Sequence, residues 1–158
     1  MAKILITYYS QSGNTKAMAE YVMEGAKMAG AQTTIKPIVQ VSAKELLDYD
    51  GIIIGSPTYY GLPAYQIKKL IDESVEFHGQ LAGKIGGAFS SAANIGGGNE
   101  TTILAILQAM LIHGMIIQGT PGGDHYGPVS IESPDSRVEM QAQSLGKRVA
   151  ELAIKLFG

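Results

Sequence analysis

Residues 3–15 read KILITYYSQSGNT, and this stretch decides the fold. Lys3–Tyr9 is short, apolar and rich in residues that favour strands, so it predicts a buried β-strand. Ser10–Thr15 is a polar loop with a single glycine. A helix is predicted over Thr15–Ala29, and Gly30 ends it. A strand, a short polar loop and a helix in direct succession indicate one unit of a parallel sheet.

The same alternation continues to the end of the chain. Further strands are predicted over Thr33–Val39, Asp50–Gly55, Ile85–Ser90 and Met115–Gln118. Further helices are predicted from the Ser42–Glu45 capping-box pattern to Leu47, over Pro63–Ser74, over Glu100–His113, and after Ser133 with Pro134 in the first turn. Pro37 places the second strand at an edge of the sheet or marks its end. The pattern predicts a doubly wound α/β fold, with a five-stranded parallel sheet covered by helices on both faces.

Composition excludes several functional classes. The chain has 158 residues, the size of one domain, and we expect a single domain over residues 1–158. Its formal net charge of −2 argues against a nucleic-acid-binding surface. There is no cysteine, which excludes disulfides, thiolate nucleophiles and cysteine-based zinc sites. His78, His113 and His125 lack the spacing of metal ligands, so no metal site is predicted.

No segment of the sequence predicts a membrane span. Thr101–Gly123 carries no formal charge, but polar residues, glycines and Pro121 interrupt it. The apolar run at the N-terminus is too short for a signal peptide. We expect a cytoplasmic protein.

Three loops follow predicted strands at the edge where such sheets bind ligands. They are SQSGNT (10–15), SPTYYGL (56–62) and SAANIGGGN (91–99). The first stands at a helix N-terminus, whose dipole favours an anion, yet it lacks the lysine of a nucleoside-triphosphate loop and the G-x-G-x-x-G pattern. It predicts a site for one phosphate monoester held by neutral donors; a plain polar turn is the alternative.

The other two loops carry weaker signals when taken alone. Tyr59 and Tyr60 could contact a flat ring system, or one of them could pack over the helix below. Gly96–Gly98 could bring backbone against a ring edge, or form a flexible turn.

The chain resembles the flavodoxin-like superfamily, and in particular the WrbA-type FMN-dependent NAD(P)H:quinone oxidoreductases. The resemblance is carried by MAKILITYYSQSGNT (1–15), YDGIIIGSPTYYG (49–61), GKIGGAFSSAANIGGGNETTI (83–103), HGMII (113–117) and RVAELAIKLFG (148–158, with Arg148 first). It implies the strand order 2-1-3-4-5 and non-covalently bound FMN. For FMN phosphate it implies Ser10, Gln11, Ser12, Gly13, Asn14 and Thr15. For one side of the flavin ring it implies Pro57, Thr58, Tyr59, Tyr60 and Gly61. For the other edge and the ribityl chain it implies Ser91, Ala92, Ala93, Asn94, Ile95, Gly96 and Gly97.

The resemblance also implies a function and an assembly. Two-electron transfer from NADH or NADPH to a quinone is the expected activity, with no catalytic side chain named. A one-electron carrier of the flavodoxin type, with a redox partner protein, is the alternative, favoured by the short chain. The apolar helix Thr101–Ile112 is either deeply buried or part of a homodimer or homotetramer contact. His113 is expected to cap a helix C-terminus, with flavin contact as the alternative. His125 and Tyr126 are expected near the pocket rim, as pocket or dimer-partner residues or on a solvated loop.

Overall fold

The computed structural model describes residues Met1–Gly158. Five parallel strand positions form the main part of the sheet, with β1 at Lys3–Tyr8, β2 at Gln32–Pro37, β3 at Gly51–Tyr59, β5 at Ile85–Ala92 and β6 at Ile116–Ile117. They lie in the order β2-β1-β3-β5-β6, with β2 at one edge. Because β5 and β6 are the fourth and fifth of the predicted strands, the predicted order 2-1-3-4-5 is confirmed, and Pro37 ends an edge strand as expected.

Four α-helices cover the two faces of this sheet. They are α1 Asn14–Met28, α2 Tyr65–Glu73, α3 Asn99–Ile112 and α4 Ser136–Phe157. One buried cluster joins α1 and α4 to the sheet, through side chains such as Met18, Val22 and Leu145. A second cluster joins α2 and α3 to the opposite face, through Ile67 and Ile106 among others. The doubly wound arrangement follows from strands that bury apolar side chains on both faces.

Two short strands were not predicted. β4 (Leu62–Pro63) pairs antiparallel with the end of β3, so Ser56–Leu62 is the arm and turn of a hairpin rather than an open loop. β7 (Val129–Ile131) pairs with the last part of β5, in the segment expected to be a long loop. β6 pairs in parallel with the start of β5, and β7 pairs in parallel with its end. The two short strands therefore occupy the same outer position of the sheet, and residues 118–128 connect them.

Two predicted helix starts are wrong, and a third is confirmed. Pro63 lies in β4, paired with Thr58, and α2 begins only at Tyr65. The short helix predicted after Ser42 is present as a 3₁₀-helix, Lys44–Asp48, and Ser42 Oγ accepts a hydrogen bond of 3.2 Å from Glu45 N as the capping-box pattern predicts. The N-cap of α4 is Asp135 rather than Ser133: its carboxylate accepts a hydrogen bond of 2.9 Å from Val138 N. The chain bends at Glu132 and Ser133 before it enters α4, so Ser133 and Pro134 come too early to start the helix.

Helix α4 has 22 residues but is amphipathic, and α3 has 14. No helix combines the length and the apolar character that crossing a bilayer requires.

Candidate functional site

A cleft of about 480 Å³ opens at the carboxyl edge of the sheet, where the predicted loops converge. Ten of its lining residues are among those predicted to bind the cofactor: Gln11, Ser12, Asn14, Thr15, Pro57, Thr58, Tyr59, Ser91, Ala92 and Ala93. Glu132 completes the lining. Residues far apart in the chain meet here because parallel strands bring all their carboxyl ends to one edge.

The loop between β1 and α1 presents free backbone amides. Ser10 Oγ accepts hydrogen bonds from the amides of Gly13 and Lys16, at 3.1 and 3.3 Å, which fixes the loop on the helix N-terminus. The amides of Asn14 and Thr15 have no acceptor within the protein. Unpaired amides at the positive end of a helix dipole form a site for an anion.

Two of the predicted phosphate-loop residues face elsewhere. Ser10 and Gly13 line a separate groove beside β2, together with Pro37 and Val39. Gly13 has φ of +99°, a left-handed conformation that glycine adopts without steric cost and that lets the loop turn into α1. Their position indicates a role in shaping the loop.

A buried side-chain hydrogen bond joins two walls of the cleft. Thr15 Oγ1 and Ser91 Oγ lie 2.8 Å apart, and both residues are buried. Thr15 belongs to the first turn of α1 and Ser91 to the end of β5. The anion-binding end and the β5 wall are thereby held at a fixed separation.

The hairpin of β3 and β4 forms another wall. Tyr60 and Gly61, at φ of +53° and +76°, form its two-residue turn, and this combination matches the turns that suit the twist of paired strands. The Tyr60 ring is fully exposed at the tip and does not line the cleft. The Tyr59 hydroxyl instead donates to Gln11 Oε1 at 2.9 Å, which joins the hairpin to the β1–α1 loop. Burial, with a smaller contribution from Tyr9, raises the pKa of Tyr59.

Thr58 carries an unpaired polar atom in the cleft. Its Oγ1 is buried and has no hydrogen-bond partner in the protein. Buried hydroxyls normally have a partner, so an unpaired one that lines a cleft points to a ligand atom as its partner. Of the five buried side-chain atoms without a partner, it is the one on a residue that lines this cleft.

The glycine-rich loop contributes less to the cleft than predicted. Asn94–Gly97 are exposed and do not line it, although Ile95 and Gly96 line an adjoining groove. Gly98 packs against the hairpin, since a Cβ there would lie 2.5 Å from Gly61 Cα. The Thr101 hydroxyl donates its one hydrogen between two carbonyl oxygens, of Gly61 at 2.7 Å and of Gly98 at 2.9 Å from Oγ1. The contact fixes the hairpin against the start of α3.

The three histidines and Tyr126 lie outside the cleft lining. His113 follows α3, but its Nε2 is 2.7 Å from Ser74 Oγ, so the imidazole does not cap the helix carbonyls as predicted. Burial, and then the charge of His78, lowers the pKa of His113. His125 Nδ1 lies 2.9 Å from the carbonyl of Thr120 and holds the loop between β6 and β7. No three acidic or histidine side chains are grouped as metal ligands.

Sequence reasoning missed Glu132. It directly follows β7, and its position beside Ala92 comes from the pairing of β7 with β5. The signal available was the alternation of Val129 and Ile131 around Ser130, which predicts a short strand ending at the same sheet edge.

The sheet order, the anion-binding helix N-terminus and the converging loops define a doubly wound cofactor-binding domain. The chain belongs to the flavodoxin family, whose model, described as Flavodoxin, matches residues 6–101. A curated relative from Sinorhizobium fredii, named NAD(P)H dehydrogenase (quinone), is 36% identical and aligns over 99% of each chain. A relative of the same name from Rhizobium johnstonii is 35% identical, over 99% of this chain and all of the other.

Solved structures agree with this family. A flavodoxin, WrbA-like protein from Agrobacterium tumefaciens is 27% identical with a TM-score of 0.83, covering 98% of this chain and 99% of the other. A flavodoxin from the domain Archaea is 28% identical with a TM-score of 0.80, covering 96% and 99%. The predicted resemblance is confirmed. The alignment with the relative from Sinorhizobium fredii runs over 197 positions against 158 residues here, so that relative carries segments that this chain lacks.

Proposed function

We propose that the whole chain is one FMN-binding domain that transfers two electrons from NADH or NADPH to a quinone. The observation that carries the proposal is the donor set of the cleft: free amides at the start of α1 beside the unpaired hydroxyl of Thr58. Membership of the flavodoxin family supports FMN as the ligand. The two relatives that align over 99% of this chain are named NAD(P)H dehydrogenase (quinone), which supports the donor and the acceptor.

The cleft fits a ligand of this chemistry. Its volume of about 480 Å³ falls within the ~300–1,000 Å³ of typical small-molecule and cofactor sites. The amides of Asn14 and Thr15 and the hydroxyl of Ser12 are neutral donors, suited to one phosphate monoester at a helix N-terminus. Thr58, which also lines the cleft, has a hydroxyl without a partner in the protein.

When bound, FMN supplies the redox chemistry, because the flavin ring accepts a hydride and passes two electrons on. The chain binds and orients it. Ser10–Thr15 hold the phosphate, with Ser10 and Gly13 setting the loop conformation. Pro57–Tyr59 line the cleft and would flank the ring on the hairpin side, and Ser91–Ala93 would lie along its other edge and the ribityl chain. Tyr60–Gly61 and Asn94–Gly97 belong to the same two segments but do not line the cleft. The Tyr59–Gln11 hydrogen bond keeps the hairpin close to the phosphate loop.

The surface around the cleft is apolar rather than acidic, so it suits a quinone better than a partner protein that docks by charge. Tyr60, Leu62 and Ile95 are exposed on the elements that border it. A formal net charge of −2 on the whole chain provides little electrostatic steering for a protein partner. We therefore favour a quinone as electron acceptor over a one-electron partner protein.

We further propose that the protein is a homodimer or homotetramer in the cytoplasm. Leu111 and Ile112 are exposed at the end of α3, and Leu62 is exposed on β4. Leu62 and Ile112 line a groove of about 470 Å³ between α2 and α3. Contiguous exposed apolar side chains of this kind mark association surfaces.

One anaerobic experiment tests the redox proposal. The protein is reconstituted with FMN, freed of unbound flavin by gel filtration, and mixed with NADH and then NADPH while the ~450 nm flavin band is followed. We expect rapid bleaching with one of the two donors and recovery of the band when a quinone is added. A retained flavin that neither donor bleaches would contradict the enzyme proposal and leave the carrier function.

A further inference from the structure

Glu132 is the one formally charged residue that lines the cleft. The other ten lining residues are neutral: Gln11, Ser12, Asn14, Thr15, Pro57, Thr58, Tyr59, Ser91, Ala92 and Ala93. The Glu132 carboxylate forms no hydrogen bond and no salt bridge within the protein; the salt bridges present are Lys36–Glu45, Lys68–Asp72, Lys69–Glu73, Arg137–Asp124 and Lys147–Glu151. An acceptor without a protein partner, beside a polar cleft, is available to a ligand.

The backbone of Glu132 is fixed in an unusual conformation. Its φ is +60°, a left-handed value that is disfavoured for residues with a β-carbon. Two hydrogen bonds hold it there: its amide donates to Ala92 O at 2.8 Å, and its carbonyl accepts from Ser130 Oγ at 2.9 Å. Strained conformations that the surrounding structure enforces tend to occur at functional sites.

The sheet order decides which part of the cleft Glu132 borders. β5 lies between β3 and β7, so Glu132 stands one strand beyond Ser91 and on the side away from Pro57 and Thr58. Ser91 is bonded to Thr15 of the anion-binding turn. Glu132 therefore lines the β7 side of the cleft, next to the end of β5 and away from the hairpin that is proposed to flank the ring.

We infer that Glu132 is a specificity-determining residue of the proposed FMN cleft, whose carboxylate accepts hydrogen bonds from the hydroxyl groups of the polyol chain. The inference rests on the proposed function. At neutral pH a carboxylate can only accept hydrogen bonds, so it has no attractive contact to make with an anionic phosphate. Polyol hydroxyls are the donors that lie between a phosphate and a flavin ring.

The test compares flavins with and without the polyol. Riboflavin carries it, whereas lumiflavin has the same ring and ring N–H donor without it. Affinities of the apo-protein for both are measured by fluorescence quenching for the wild type, Glu132→Ala, Glu132→Gln and the control Glu76→Gln. Glu76 is exposed, lies outside the cleft and forms no side-chain hydrogen bond or salt bridge, so its variant removes the same charge elsewhere.

We expect Glu132→Ala to bind riboflavin about tenfold more weakly, the range for losing a hydrogen bond to a charged group. Its lumiflavin affinity stays within about twofold of wild type, since an energy change of under ~0.4 kcal/mol is expected where no contact is lost. Glu132→Gln, which keeps an acceptor oxygen, falls between wild type and alanine for riboflavin. Glu76→Gln matches the wild type for both flavins. Alanine also has a β-carbon, so the backbone strain at position 132 is the same in this variant.

Two results would overturn the inference. Equal losses of riboflavin and lumiflavin would show general damage to the cleft, and unchanged riboflavin binding would show that the carboxylate makes no contact. Both leave the proposed function intact as long as the wild type binds FMN. A wild-type protein that binds neither FMN nor riboflavin would overturn the proposed function and this inference together.

Discussion

Thr15 Oγ1 lies 2.8 Å from Ser91 Oγ, and both side chains are buried where α1 begins and β5 ends. This contact joins residues that are 76 positions apart in the chain. It fixes the anion-binding turn relative to the β5 wall, so the cleft is formed before any ligand arrives. A preformed cleft binds its ligand without the free-energy cost of ordering the walls.

Replacing one partner of this pair should destabilise the fold. Thr15→Val keeps the shape of the side chain but leaves Ser91 Oγ buried and unpaired, which costs about 1–3 kcal/mol of unfolding free energy. Ser91→Ala should have a similar cost. The double variant should lose less than the two single losses combined, because no hydroxyl is then left unpaired. Urea denaturation of the four proteins measures this coupling, and strictly additive losses would contradict the account.

Thr58→Val should separate stability from ligand binding. The variant removes a buried hydroxyl that has no partner, so the apo-protein should be as stable as the wild type or more stable by up to about 1 kcal/mol. FMN affinity should fall by about fivefold or more if Thr58 Oγ1 bonds the ligand.

Thr102→Val is the matched control for Thr58→Val. Thr102 Oγ1 is also buried and unpaired, but it lies in α3 outside the cleft lining. It should show the stability effect alone. FMN titration and urea denaturation of both variants check the pair. Unchanged FMN affinity in Thr58→Val would mean that its hydroxyl has no ligand role.

Gly98→Ala should disturb the hairpin more than Gly96→Ala. Both glycines have positive φ, so each alanine costs about 1–2 kcal/mol of backbone strain. Only the Cβ at position 98 meets the Gly61 backbone, whereas the one at position 96 meets open space. Gly98→Ala should therefore be the less stable protein and bind FMN more weakly. Equal stability of the two variants in thermal denaturation would argue against a tight contact between loop and hairpin.

The free energy of unfolding should depend on pH through protonation of His113. Burial, with the positive charge of His78 as a smaller cause, lowers the pKa of His113 below the ~6.5 of an unfolded chain. As pH falls below about 6.5 the unfolded chain takes up this proton first, so unfolding free energy falls, by at most about 1.4 kcal/mol per pH unit. The free energy of unfolding stops falling once pH is below the pKa that His113 has in the folded protein.

Denaturation between pH 7.5 and about 5 tests the His113 assignment, since carboxylates titrate mostly lower. His113→Asn should remove the decline in this window, and the exposed His125→Asn should keep it. A decline that survives in His113→Asn would assign it to another group.

Charge on the exposed end of α3 should dissociate the proposed oligomer. Leu111→Glu and Ile112→Glu place a carboxylate on a surface that is apolar in the wild type. Light scattering should give the mass of one 16.7 kDa chain for these variants and a multiple of it for the wild type. Leu156→Glu, on an exposed position of α4, is the control and should leave the assembly unchanged. A monomeric wild type would contradict the proposed oligomer.

Local patterns predicted the strands and the sheet edge that holds the site. Lys3–Tyr9 and Ile85–Ser90 were identified because buried parallel strands are short apolar runs, and this determines where their carboxyl ends meet. The phosphate loop followed from its place between a strand and a helix. What could not be predicted depends on pairing between distant segments: β7 has three residues and is stable only beside β5, so the position of Glu132 was missed.

The helix starts failed for a related reason. Pro63 is a good first-turn residue by local rules, but pairing of β4 with β3 holds it in an extended conformation. At α4, Ser133 is a good N-cap by local rules, but the bend at Glu132 and Ser133 that follows the pairing of β7 with β5 delays the helix, and Asp135 is the N-cap. Tertiary pairing overrides local preference in both cases.

Titration of the apo-protein with FMN tests the central claim most directly. Flavin fluorescence is followed to saturation, and the mixture is then passed through gel filtration. The account predicts saturation at one FMN per chain, with the flavin eluting with the protein. FMN that elutes separately, with fluorescence unchanged by the protein, would contradict the assignment of this cleft as a flavin site.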